Sequence, residues 1–103
     1  MSDPFKQITV ALSGGCELLF DKEASLSLAN VVPVGTSVAQ LIALLRDRYI
    51  KERPELFVDA SGTNVRPGIL ILVNGCDVEV MGGIGHLLED GDEVEFISTL
   101  HGG

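Results

Sequence analysis

The chain has 103 residues, 46% hydrophobic and 21% charged, enough for one domain whose sheet-and-helix core needs neither disulfides nor metal. Seven Lys and Arg stand against fifteen Asp and Glu, a formal net charge of -8; this excludes the clustered basic surface that binds phosphate backbones and makes any charge-guided partner a basic one. Two cysteines form no disulfide framework, and with no leader pattern and no apolar run approaching ~18 residues the expectation is a reducing, cytoplasmic location without membrane attachment.

From Phe5 to Ser13 the residues alternate, with Ile8, Val10 and Leu12 on one face and Gln7, Thr9 and Ser13 on the other, which predicts a half-buried strand. Gly14-Gly15 can supply the positive φ of a tight turn. Cys16-Glu17-Leu18-Leu19-Phe20 and Ser25-Leu26-Ser27-Leu28, interrupted at Asp21-Lys22-Glu23, then read as the returning arm of a hairpin. A phosphate-binding loop at the glycine pair is disfavoured, because no helix start follows and no Lys-Ser/Thr pair is present. Residues 30–35 read as a connector. Ser37 and Gln40 have the spacing of a capping box, and Val38, Leu41, Ile42, Leu45 and Tyr49 form one apolar stripe that should pack on the sheet. Pro54 predicts the helix stop near Glu52 or Arg53. Residues 55–68 are expected to form a surface loop, with Leu56 and Phe57 tucked beneath it as a satellite of the core.

The apolar run from Ile69 to Val73, bounded by Gly68 and Asn74, predicts a strand covered on both faces and central or nearly so. Asn74-Gly75 is the strongest hairpin signal in the chain, and Cys76 to Val80 alternates after it as the partner arm. Residues 81–88 are glycine-rich and irregular, and Glu89-Asp90-Gly91-Asp92 is a turn that launches the final strand. Hairpin, helix, second hairpin and last strand, in that order, predict an α+β chain with the β-grasp (ubiquitin-like) fold. Its mixed sheet of four to five strands packs on one main helix, and the last strand lies parallel beside the first. On that strand Val94, Phe96 and Leu100 alternate with Glu93, Glu95, Ile97 and Thr99. If Phe96 faces the helix, Ile97 lies on the open face, where with Glu93 and Glu95 it suits a partner carrying an apolar spot in a basic rim. A single exposed apolar residue without any partner is an equal reading.

No catalytic site assembles from the sequence. Cys16, Cys76, His86 and His101 stand singly, without C-x-x-C or H-x-x-x-H spacing, so neither a metal site nor an activated nucleophile is expected, and no cofactor is. The run Glu89, Asp90, Asp92, Glu93, Glu95 reads as a solvated turn or a face for a basic protein before it reads as a cation site. The ending is different. Gly102 and Gly103 carry no side chains and fit a passage only a backbone wide. A terminal carboxyl at Gly103 is an anion at neutral pH, a poor electrophile until something activates it. Gly103 therefore reads as a reactant delivered to another protein's active site, against the alternative of an ordinary frayed terminus.

The segments Lys51-Glu52-Arg53-Pro54-Glu55-Leu56-Phe57, Ile69 to Asn74, Leu88-Glu89-Asp90-Gly91-Asp92 and, above all, Phe96-Ile97-Ser98-Thr99-Leu100-His101-Gly102-Gly103 resemble the ubiquitin-related modifier family of eukaryotic sulfur carriers. The resemblance covers nearly the whole chain. It departs at Asp77-Val78, where the family commonly has Asp-Trp, and at His86, where it commonly has Tyr; both sit away from the tail. It implies a single domain over residues 1–103 with a flexible Gly-Gly tail, acting as a monomer and not as an enzyme. A ubiquitin-type activating enzyme with a rhodanese domain would adenylate Gly103 with ATP and convert it to a thiocarboxylate, recognising Thr99, Leu100, His101 and Gly102 as the tail. Sulfur would pass through a separate tRNA thiolase complex to wobble uridines of cytosolic tRNA, and the activated tail could also be joined to lysines of other proteins. Two alternatives remain beside it, a purely ubiquitin-like modifier and the small subunit of a molybdopterin-synthase-like complex.

Overall fold

Ile8, Val10 and Leu12 turn into the core from β1 (Phe5–Ser13), as their alternation requires. The computed structural model describes residues 5–33, 35–50 and 53–99. β1 pairs antiparallel with β2 (Ser25–Pro33) and parallel with β5 (Glu93–Ser98). β3 (Ile69–Val73) runs antiparallel to β5, and the two-residue β4 (Cys76–Asp77) completes the order β2-β1-β5-β3-β4. One helix, α1 (Val38–Arg48), buries Val38, Leu41, Ile42 and Leu45 in the same core as these strands. This is the expected β-grasp, with first and last strands parallel neighbours.

The capping box is present. The Ser37 hydroxyl accepts from the Gln40 amide at 3.2 Å, and the Gln40 side chain accepts from the Ser37 amide at 2.8 Å. The helix ends at Arg48, before the expected stop, because Ile50 leaves the helical path to bury its side chain while its amide still reaches the Leu45 carbonyl at 3.1 Å. Arg53 is indeed outside the right-handed helical region, at φ 55°, and Glu52 lies outside the described residues.

Five expectations need correction. Cys16–Phe20 is a 3-10 turn, not a strand. Gly14 and Gly15 turn the chain at φ 68° and 112°, the Glu17 carboxylate accepts the Gly15 amide at 2.8 Å, and Cys16 and Phe20, four residues apart, both point inward. The strand that answers β1 runs to Pro33, so residues 30–33 belong to the sheet and not to a connector. Phe57 is no satellite. The 3-10 turn Pro54–Leu56 drives it to the middle of the core, edge-on to Phe20 at 5.4 Å and to Phe96 at 5.2 Å between ring centroids. Fourth, β3 is covered on one face only: Ile69, Ile71 and Val73 are buried while Leu70 is 46% exposed. The position of β3 is as expected, nearly central: it lies beside β5, the middle strand of the sheet. Fifth, the arm after Asn74-Gly75 stops at Asp77. There the Asp77 carboxylate accepts the Glu79 amide at 2.9 Å and caps the 3-10 turn Val78–Met81, which buries Val78. The turn itself has φ 52° at Asn74 and 83° at Gly75, the positive values that an Asn-Gly hairpin turn needs.

Candidate partner face and the exit of the last strand

β5 presents Val94 and Phe96 to the core and Glu93, Glu95 and Ile97 to the open side of the sheet, with Glu93 the most exposed and the other two half-buried. Cross-strand register decides what surrounds them. Ile97 pairs with Leu70 on β3 and Ser13 on β1, Glu95 with Leu72 and Ala11, and Glu93 with Thr9. Ile97 is therefore not a single exposed residue: Leu70 stands beside it, with Leu72 one pair further along β3 and Glu95 opposite. An apolar strip with carboxylates along one flank results.

Sequence reasoning missed Leu70 and Leu72 because an uninterrupted apolar run resembles a strand buried on both faces. One signal was available. The sequence predicts a single main helix, which can cover one face of the sheet, so half of any apolar strand is left on the other.

The acidic run divides into two roles. Asp92, 9% exposed, accepts from Asn74 Nδ2 at 2.9 Å and from the Glu89 amide at 2.8 Å, while Asn74 Oδ1 accepts the Glu93 amide at 3.0 Å. Asp90 accepts the Gln7 amide at 2.6 Å. These two carboxylates fasten the turn before β5 to β1 and β3, and Glu89, Glu93 and Glu95 are the ones left to face outward. Among the described residues no group of three His, Cys, Asp or Glu lies close enough to hold a metal ion.

Where β5 leaves the sheet, the chain is held on both flanks. The Thr99 amide and hydroxyl both donate to the Gly68 carbonyl, at 2.7 and 2.6 Å. On the other side Gly14 lies against the Ser98 carbonyl so closely that a Cβ there would collide with it. Leu100, His101, Gly102 and Gly103 lie outside the described residues.

The scattered candidates stay apart. Cys16 is buried beside the end of β5, and burial, with the charge of Glu17 added, pushes its thiol up to about 11 against a weaker opposing hydrogen bond with the Ser98 backbone. Such a thiol is a packing group, not a nucleophile. Cys76 is exposed on β4, with β3 and β5 between it and the turn that carries Cys16. His86 is half-buried, and its carbonyl accepts the Val38 amide at 2.9 Å, tying the glycine-rich segment to the start of α1.

The comparisons agree with this geometry. Residues 7–103 match the family model Urm1 (Ubiquitin related modifier). The chain is 48% identical over 101 residues to the ubiquitin-related modifier 1 homolog of Dictyostelium discoideum, covering 94% of this chain and 99% of that one. To ubiquitin-related modifier 1 of Mycosarcoma maydis it is 47% identical over 109 residues, with both chains covered in full. The solution structure of Urm1 from Trypanosoma brucei superposes with a TM-score of 0.83 at 59% identity, again over the whole of both chains. A β-grasp sheet with first and last strands parallel, an open face on its central strand and a family match that runs through the final Gly-Gly lead to one assignment: the chain belongs to the ubiquitin-related modifier family of small ubiquitin-like carrier proteins.

Proposed function

We propose that this chain carries sulfur on its C-terminal carboxylate for 2-thiolation of wobble uridines in cytosolic tRNA. The observation that carries the reading is that the family match extends through Gly103, so the Gly-Gly ending is part of what is matched and not an appendage to it. In the proposed sequence a Gly103 carboxylate oxygen attacks the α-phosphorus of ATP on a ubiquitin-type activating enzyme, and pyrophosphate leaves. The terminal sulfur of a persulfide on that enzyme's rhodanese domain then attacks the activated carbonyl and expels AMP, leaving an acyl disulfide. A second enzyme thiol attacks the enzyme-side sulfur, closing an enzyme disulfide and releasing the thiocarboxylate. A tRNA thiolase complex takes the sulfur onward. A lysine amine attacking the same activated carbonyl would form an isopeptide bond, so attachment to other proteins uses the same tail. ATP and all catalytic groups belong to the partners; this chain supplies the reacting end and the docking face.

For that face the reading assigns the Ile97–Leu70 strip, with Glu93 and Glu95 meeting a basic rim on the activating enzyme. Leu100, His101 and Gly102 would thread toward the active site, with Thr99 at their root, and the tail's lack of side chains at Gly102 and Gly103 keeps that passage narrow. The deciding test is intact mass after incubation with the activating enzyme, ATP and a sulfur donor. The expected product has one oxygen exchanged for sulfur, and deletion of Gly103 abolishes it without lowering the melting temperature. Sulfur incorporation into the Gly103-deleted chain would overturn the assignment of the reacting carbon.

A further inference from the structure

The last described residues are gripped from two sides by parts of the fold far away in sequence. Thr99 places two donors, its amide and its hydroxyl, on the single carbonyl of Gly68, thirty-one residues earlier. The last ladder pair, Ile69 with Ser98, precedes this contact immediately, so the pairing of β5 with β3 is extended one step beyond the strand by a side chain. On the β1 side, Gly14 has φ 68° and no room for a side chain against Ser98, whereas Gly15, also at positive φ, has nothing within 4 Å of the corresponding position. One glycine of the turn is thus needed for its conformation alone, and the other also for close approach to the end of β5.

We infer that Gly14, Gly68 and the Thr99 hydroxyl form a clamp that fixes the root of the C-terminal tail, so that the point from which the last four residues leave the sheet is set by the fold and not by the partner. The inference rests on the carrier reading above and gives Thr99 a positioning role within its own chain. Four residues follow Thr99, which at full extension span about 13–14 Å. With the root fixed, an activating site lying near that limit is reached in one register only; with the root loosened, the approach of Gly103 spreads over many directions and productive docking becomes rarer.

The variants are Thr99→Val, which keeps the branched shape and the amide donor but removes the hydroxyl, and Thr99→Ser, which restores the hydroxyl. In the full-length free protein, heteronuclear NOE and amide exchange are read at Ser98, Thr99 and Leu100. Thr99→Val is expected to lower the NOE and speed exchange at Thr99 with an unchanged melting temperature, and Thr99→Ser to return both toward wild type. Gly14→Ala should shift the Ser98 and Thr99 amide resonances, while Gly15→Ala, whose φ of 112° strains an L residue more but whose Cβ would meet nothing within 4 Å, should shift them less. Unchanged order at Thr99 in Thr99→Val, or equal resonance shifts from both glycine variants, would overturn the clamp.

The functional consequence is read by ATP–pyrophosphate exchange with the activating enzyme. Thr99→Val should raise KM for the carrier roughly threefold to tenfold, the effect of one hydrogen bond, with little change in kcat. An unchanged KM beside a loosened root would overturn the presentation role. If wild type itself supports no exchange, the carrier reading fails instead, and the clamp is still decided by the resonance measurements on the free chain.

Discussion

Cys16 lies one residue from the glycine turn and against the end of the strand that leads to Gly103, yet its environment takes it out of the chemistry. Its thiol ionises at about 9 in an ordinary setting and at about 11 in the fold. Between these values the unfolded chain has released a proton that the folded chain retains, so stability falls with rising pH. The contribution of a neutral Cys16 is complete below about pH 9 and is lost on approach to about pH 11. Cys16→Ala should therefore show a smaller drop of the urea midpoint across that window than wild type; equal drops would mean that the thiol is not held neutral by the fold. Burial also predicts selectivity. Iodoacetamide should label Cys76 rapidly in the native chain and reach Cys16 only when the turn at Cys16–Phe20 opens.

Strands and turns set a second group of consequences. Phe57 enters the core from a short turn and touches aromatic rings from both the Cys16–Phe20 turn and β5, so Phe57→Ala should cost about 3–5 kcal/mol in urea unfolding, as for other buried aromatic deletions. A loss below about 1 kcal/mol would return Phe57 to the edge of the core. On the other side of the sheet, Leu70 and Ile97 are paired across β3 and β5 on the open face. Leu70→Ser and Ile97→Ser should each change stability by no more than about 1 kcal/mol and weaken binding to the activating enzyme by roughly tenfold. Because the two side chains are neighbours, the double variant should lose less than the product of the single effects. A large stability loss at Ile97, with binding intact, would move it from the partner face to the structural core.

For the whole molecule the dominant quantity is charge. A net charge of -8 with Glu89, Glu93 and Glu95 facing outward near the end of the chain repels a phosphate backbone, and counterion release has no basic stripe to act through. A mobility-shift titration at low salt should show no binding of tRNA to the isolated protein, and sulfur transfer should require a tRNA-binding thiolase. Docking on such a basic partner should weaken with added salt as the acidic flank is screened. Tight tRNA binding by the isolated chain would overturn the separation of carrier from tRNA binder.

The alternation of Ile8, Val10 and Leu12, the Ser37–Gln40 box and the Asn74-Gly75 turn are local signals, each complete within a few residues, and the fold could be read from them. The Gly-Gly ending was legible for the same reason, since absence of side chains is a property of the residues themselves. Cys16–Phe20 misled because five apolar and polar residues fit a strand or a turn of helix equally well, and only the inward packing of Cys16 and Phe20 chooses between them. Phe57 was invisible in a stronger sense, and Leu70 was legible only by setting its strand against the single predicted helix. Whether an apolar residue on a loop or a strand is buried depends on what the rest of the chain lays over it, and the core lies against one face of β3 and leaves the other open. The grip of Gly14 and Gly68 on the end of β5 is likewise a fact of register: positions 14, 68 and 99 become neighbours only once β5 is inserted between β1 and β3.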